Sequence, residues 1–294
     1  MNRRMFLRSI PAITTMTTFA STHTYLSPKL QDDDALLCLK KFDLAVSLGL
    51  REKPIRDVVV EIGKTFLGTE YVANALEVPG GERLVVNMRG LDCVSFYENA
   101  LVLARCIKKG KLTFDDYKAE LQFIRYRGGI INGYPSRLHY TSDYIHDNEK
   151  KGVWKDMTRE LGGVPFVKTI NFMSTHPESY RQLKENPDYT KAVMEQEREI
   201  TARAKYYIPK EHVEKIAEKI MPGDILGMTT SIEGIDTSHT GIAVREEGML
   251  RLMHAPLAGK KVLISDVTLA EYLARNKKQT GMMVARPLEP RVAP

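Results

Sequence analysis

Helical and strand-type spacing are segregated along this chain, and that segregation restricts the fold more than any other feature. Residues 32–50 place Leu36, Leu39, Phe42, Ala45 and Val46 at helical intervals, and residues 54–67 continue with Val58, Val59, Ile62 and Phe66. Asp92 opens the best-punctuated helix, which runs from Cys93 to Lys108-Lys109-Gly110. An acid stands before its first turn, and basic residues and a glycine stand at its last. Residues 115–124 form a further helix or helix-to-strand segment. After Pro222-Gly223-Asp224 the pattern turns to short β-type runs at 225–230, 239–244, 249–254 and 261–265, then a helix at 269–275 and a strand at 282–286. Helices first and antiparallel-type strands later predict an α+β fold. Between them, residues 127–206 are polar and weakly periodic, and read as an insertion with loops around a core.

Composition narrows the function classes. With 294 residues, 43% hydrophobic and 27% charged, the chain lies in the globular range and outside the disordered, collagenous and coiled-coil classes. The formal charge is +6, but both signs are spread through the sequence, so no concentrated basic face for nucleic acid is expected. Three cysteines exclude a disulfide-dense scaffold. No run of about 18 apolar residues occurs, so no membrane span is expected. The start of the chain, with Arg3-Arg4 followed by Met5-Phe6-Leu7 and a mildly apolar stretch to Ala20, resembles a twin-arginine export signal; a disordered tail is the alternative. Cleavage near Ala20 removes Arg3, Arg4 and Arg8 and no acid, which halves the basic excess. The expected organisation is an export signal at 1–20, a helical extension at 21–57 and one catalytic domain at 58–294 carrying the insertion at 127–206. The expected location is outside the cytoplasm, in the periplasm.

Cys93 is the leading candidate for chemistry. At a helix N-terminus, unpaired amides and the helix dipole favour thiolate over thiol, and a lowered thiol pKa makes a nucleophile; the alternative is a small buried hydrophobe. Cys106 lies on the same predicted helix, roughly 20 Å away at about 1.5 Å rise per residue, so it cannot bond to Cys93. Cys38 and Cys106 are compatible with a disulfide or with two core positions. A cysteine nucleophile needs a histidine to move its proton and a polar group to orient that histidine. His239 opens one predicted strand and His254 ends the next. An even loop pairing Val244 with Met249 sets the two histidines opposite each other, and Gly241 opposite Leu252; a three-residue loop with a bulge sends them to opposite faces.

The order Tyr71, Leu91-Asp92-Cys93, Ser238-His239-Thr240-Gly241-Ile242 and Met253-His254-Ala255 resembles the NlpC-type cell-wall cysteine peptidases, a papain-like superfamily. Residues Glu82-Arg83-Leu84-Val85-Val86-Asn87, Gly90 to Phe96, and Ser136-Arg137-Leu138-His139-Tyr140 resemble its N-acetylmuramoyl-L-alanine-amidase-like branch. The resemblance implies a papain-like core, with the nucleophile at a helix N-terminus packed on an antiparallel sheet, plus added helices and a central insertion. It implies Cys93 as nucleophile, His239 as base, His254 as the residue orienting it, and Tyr71 beside the oxyanion. The family's Gly-x-Pro-Tyr reads Gly68-Thr69-Glu70-Tyr71 here.

The implied activity is hydrolysis of the amide between N-acetylmuramic acid and L-alanine in peptidoglycan or muropeptide fragments, with no cofactor. A stem endopeptidase cutting after D-glutamate and an inactive wall-binding scaffold are the alternatives. Arg125, Arg127 and Arg137 are candidates to pair with stem carboxylates, and Tyr134, Tyr140, Tyr144 and Trp154 to pack on sugars. Ser136 and His139 join this substrate-binding set through the resemblance. His139, Asp143 and His146, spaced for one side of a helix, are an alternative zinc set.

Overall fold

A computed structural model describes residues 28–291, and the segment resembling an export signal lies outside the described residues. Helix α1 (Pro28–Ser47) is followed by α2 (Ile55–Lys64), whose Ile55, Val58, Val59 and Ile62 are buried. Strands β1 (Glu70–Tyr71) and β2 (Gly90–Leu91) then pair in parallel, setting Tyr71 opposite Leu91, two residues before Cys93. Helix α3 (Cys93–Lys109) forms as its ends predict. Asp92 Oδ1 accepts the amides of Val94 (3.1 Å) and Ser95 (2.7 Å), and the Ser95 hydroxyl accepts the Asp92 amide at 2.9 Å. Gly110 closes α3 in the left-handed conformation, φ 68°. Helix α4 (Phe114–Arg125) starts from the same kind of reciprocal cap, made by Thr113 and Asp116.

The insertion is more ordered than its weak periodicity predicts. It holds α5 (Thr141–Lys150), β3 (Trp154–Asp156), β4 (Val164–Pro165), α6 (Phe172–Thr175), α7 (Arg181–Glu185) and α8 (Pro187–Ala202). The α8 start is set by Asn186, which caps the Asp188 amide, and by Pro187 in the first turn. One of its buried positions is Glu197, so an apolar count misses the stripe. Tyr144, Ile145, Val153 and Trp154 belong to the main core, so 141–156 is part of the central body, not a loop outside it. A smaller core of Tyr134, Tyr140, Ile170, Met173, Leu183, Val193 and Ile200 holds the remainder together.

Strand β5 (Tyr206–Pro209), helix α9 (Val213–Ile216), strands β6 (Ile225–Thr230), β7 (Thr237–Glu246), β8 (Met249–His254) and β9 (Leu263–Ile264), helix α10 (Leu269–Arg275) and strand β10 (Gln279–Pro287) complete the chain. The main sheet runs β4-β5-β10-β6-β7-β8-β9, with β3 also on β10, and its described pairings are antiparallel. Helices α1 to α4 cover one face, where Ile225, Ile242, Val244 and Met253 are buried. Residues from α9 and α10 cover the other, over Leu226, Met228, Ala243 and Leu252. The mixed helix-and-antiparallel-sheet architecture agrees with the α+β expectation.

The β7–β8 turn is shorter than the even loop predicted. Glu246 pairs with Met249 and Ile242 with Met253, which leaves Glu247 (φ 53°) and Gly248 (φ 78°) as the two turn residues. Pairing is therefore displaced by two residues from Val244 opposite Met249. Because strand faces repeat every two residues, the displacement preserves the side of the sheet on which each histidine stands.

Candidate active site

Three separate stretches converge at the amino end of α3. Cys93 is half-buried at its first position, and Thr240 of β7 donates its hydroxyl to the Cys93 carbonyl at 2.9 Å. His239 immediately precedes Thr240. Pairing along β6 and β7 shifts between Met228 and Thr229, opposite His239 and Thr237, so Ser238 is the extra residue of a bulge. A bulge re-aims the side chains beside it, here the histidine. On the neighbouring strand, His254 Nδ1 lies 2.7 Å from His239 Nε2. Continuing the register puts Gly241 opposite His254. A Cβ at 241 would stand 2.7 Å from Leu252 Cδ1 and 3.1 Å from the His254 Cβ, so only glycine leaves this packing undisturbed.

The electrostatics differ from the low thiol pKa predicted for a helix terminus. Burial first, and then the Asp92 carboxylate, push the Cys93 thiol up to about 11 against the lowering effect of hydrogen bonding from Thr240. The Asp92 cap takes up the first-turn amides of Val94 and Ser95 and sets a negative charge next to the sulfur, offsetting the helix dipole. Burial draws His239 down to about 4. Burial, and then His239, draw His254 down to about 3. Between those limits the free protein therefore carries a neutral thiol and two neutral imidazoles. For a reaction in which His239 takes up the thiol proton, the imidazole must be unprotonated, so kcat/KM is expected to fall only as pH drops through about 4. A pH–rate profile with its acid limb near 6 to 7 contradicts this arrangement.

Tyr71 reaches the same point from β1: burial raises its phenol, with the Cys93 and Asp92 charges adding to the effect. Two neighbours escaped sequence reasoning. Thr240 carried no signal beyond its place after His239. Tyr272 of α10 packs edge-on to His254, centroids 5.1 Å apart, and 6.3 Å from the His239 ring. Its helix was legible in the sequence, but its orientation was not.

The predicted substrate-binding residues are mostly taken up inside the protein. Arg125 is buried against Glu98, 2.7 Å from its carboxylate. Arg137 is buried, ion-paired with Glu77 and Glu82, and stacked on the Tyr134 ring. Tyr134 is buried with its hydroxyl on Glu77, and the Ser136 hydroxyl bridges the Asn132 amide and the Gly133 carbonyl. His139 sets Nε2 3.1 Å from the Tyr134 carbonyl, and burial draws it down to about 3. Tyr140, Tyr144 and Trp154 hydrogen-bond to Glu197, Glu98 and the Ile145 carbonyl, and none presents a face to a sugar. These residues hold the 72–90 segment and the insertion to the core. Arg127 differs: it pairs with Asp143 at 2.6 Å yet keeps a third of its side chain exposed.

The zinc arrangement does not assemble. His139 precedes α5, and the Asp143 carboxylate is held by Arg127 and Arg203. Among the described residues no group of three or more His, Cys, Asp or Glu is placed to hold a metal ion. All three cysteines are free, with Cys38 and Cys106 buried in the core.

The chain matches, over residues 61–282, a family model described as AmiA-like, N-acetylmuramoyl-L-alanine amidase-like. No curated protein matches it. Among solved structures it is similar to an N-acetylmuramoyl-L-alanine amidase from Bacteroides uniformis ATCC 8492, at 34% identity and a TM-score of 0.74, covering 80% of this chain and 99% of that one. A proposed xylanase from Bacteroides fragilis is 36% identical with a TM-score of 0.72, covering 77% of this chain and 99% of that one. A protein from Legionella pneumophila str. Philadelphia 1, 20% identical, shares the fold over 90% of this chain and 97% of that one, with a TM-score of 0.68. The match over residues 61–282 and these alignments identify the chain as a member of the AmiA-like, N-acetylmuramoyl-L-alanine amidase-like family.

Proposed function

We propose that the protein is a cysteine amidase of the NlpC-type, papain-like kind, cutting the amide between the lactyl group of N-acetylmuramic acid and L-alanine. The observation that carries the reading is the 2.7 Å contact of His239 Nε2 with His254 Nδ1, on the strand whose Thr240 holds the Cys93 carbonyl. With Nε2 donating to His254, Nδ1 of His239 is the acceptor left for the thiol proton. The Cys93 sulfur attacks the lactyl carbonyl carbon as its proton passes to His239. The carbonyl electrons move onto oxygen, beside the Tyr71 hydroxyl and the Cys93 amide. The C–N bond breaks, His239 returns the proton to the alanine nitrogen, and the stem peptide leaves as an amine. Water, losing a proton to His239, then attacks the thioester, and the C–S bond breaks to release the muramic acid carboxylate and restore the thiol.

A glycoside hydrolase would need two carboxyl groups flanking the bond. This site presents a thiol and two imidazoles, and Asp92 is engaged in capping α3. Mass spectrometry of muropeptides digested with purified protein tests the reading. Free sugar plus intact stem peptide is expected, and activity is expected to persist in a chelator. A disaccharide still carrying L-Ala-D-Glu, or cleavage between sugars, overturns it. Export to the periplasm belongs to the same proposal, resting on the Arg3-Arg4 segment; cell fractionation with and without an Arg3→Lys/Arg4→Lys change tests it.

A further inference from the structure

We propose that Thr240 is a positioning residue for the nucleophile, clipping the first residue of α3 to the strand that carries the base and steadying the Cys93 sulfur. The inference rests on the reading of Cys93 as nucleophile. Thr240 is 3% exposed, and its hydroxyl donates to the Cys93 carbonyl at 2.9 Å across 147 residues of sequence. Hydrogen bonding from Thr240 also holds the Cys93 thiol below the level that burial and Asp92 would set. The hydroxyl carries a single proton: in the resting protein it lies on the Cys93 carbonyl, and once the thiol has lost its own proton it can turn to the negative sulfur, a donation that favours thiolate. His239 precedes Thr240 by one peptide unit, so a slip of β7 against α3 changes base-to-sulfur separation directly, and displacements near 1 Å cost on the order of 10²-fold in rate.

Valine is close to threonine in size but lacks the hydroxyl, so Thr240→Val removes the hydrogen bonds of the hydroxyl and leaves the backbone amide in place. The ionisable groups coupled to the thiol are Asp92, Tyr97 on α3, Tyr71 on β1 and Tyr272 on α10, and His239 stands beside Thr240 on β7; the substitution changes none of them. The test reads iodoacetamide alkylation of Cys93 against pH, with the modified peptide identified by mass spectrometry so that Cys38 and Cys106 do not contribute. Thr240→Val is expected to move the alkylation midpoint to higher pH, and a midpoint higher by about 1 slows alkylation near pH 8 about tenfold. Thr240→Ser, which keeps the hydroxyl, is expected to restore the native profile. Thr240→Ala gives the same readout if valine disturbs the fold. In muropeptide turnover the loss is expected in kcat, with KM unchanged. A Thr240→Val protein that melts normally and is alkylated like wild type overturns the proposal. Since alkylation needs no peptidoglycan, a protein that shows the altered profile yet fails to release stem peptides retains this role for Thr240 and loses the amidase reading.

Discussion

Cys93→Ala is expected to lower muropeptide hydrolysis by at least about 10³-fold, the scale set by removing a nucleophile from a catalytic unit that acts as a whole. Two properties of the site give the substitution this leverage. The imidazoles of His239 and His254 are held neutral by burial, so neither carries a charge able to stabilise an oxyanion without the thiol. Tyr71 and the first amide of α3 remain in place, and the residual rate comes from them. His239→Ala should be similarly severe, and the double variant little worse than either single one, because the residues act on one proton. The measurement is product release under single-turnover conditions, with circular dichroism to verify the fold. A Cys93→Ala protein retaining a tenth of wild-type turnover would falsify the thiol mechanism.

Arg125→Ala is expected to be the most damaging change outside the site, destabilising the protein by about 3–5 kcal/mol. Arg125 and Glu98 are both almost fully buried, joined through Nε and Nη2, with the Tyr144 hydroxyl on the same carboxylate at 2.7 Å. A further guanidinium bond reaches the Val85 carbonyl in the segment leading to β2. Removing the cation leaves a carboxylate in the core with only a phenol for company. Urea unfolding followed by circular dichroism measures the loss. Arg125→Met combined with Glu98→Leu should recover most of it, since the larger part is the penalty of the orphaned charge. A single variant within about 1 kcal/mol of wild type shows that water reaches Glu98 and that the pair is dispensable.

Arg125 also shows where sequence reasoning stops. As a letter it is a cation near an aromatic-rich stretch, and stem-peptide carboxylates were its natural partners. Its burial depends on α3 and α4 lying side by side, a relation no local pattern encodes. The elements whose instructions are local were legible: Asp92 at the head of α3, Gly110 at its end, and the strands from 225 onward. The β7–β8 hairpin is intermediate. Alternation left two registers open, one with both histidines on one face and one with them on opposite faces; the two-residue turn, with Glu247 accepting a positive φ before Gly248, keeps them on one face and moves the pairing by two. In the insertion, helices built around buried polar residues such as Glu197 and Asn148 carry no apolar periodicity. Their signal appears only once a partner such as the Tyr140 hydroxyl or the Ile124 carbonyl is in place.

The single tryptophan of the chain makes the core optically addressable. Trp154 is 1% exposed, with its indole N–H on the Ile145 carbonyl and its ring 5.5 Å from Tyr144, whose hydroxyl bonds Glu98. Intrinsic fluorescence therefore reports on the buried ionic pair and on the seam between α5 and β3, while the ring that packs on the two histidines is a tyrosine, Tyr272. Excited at ~295 nm, where tyrosine absorbs weakly, emission is expected to stay blue-shifted when muropeptides bind and to move red when Arg125 is removed. One chromophore can thus separate a protein that has lost its chemistry from one that has lost its core.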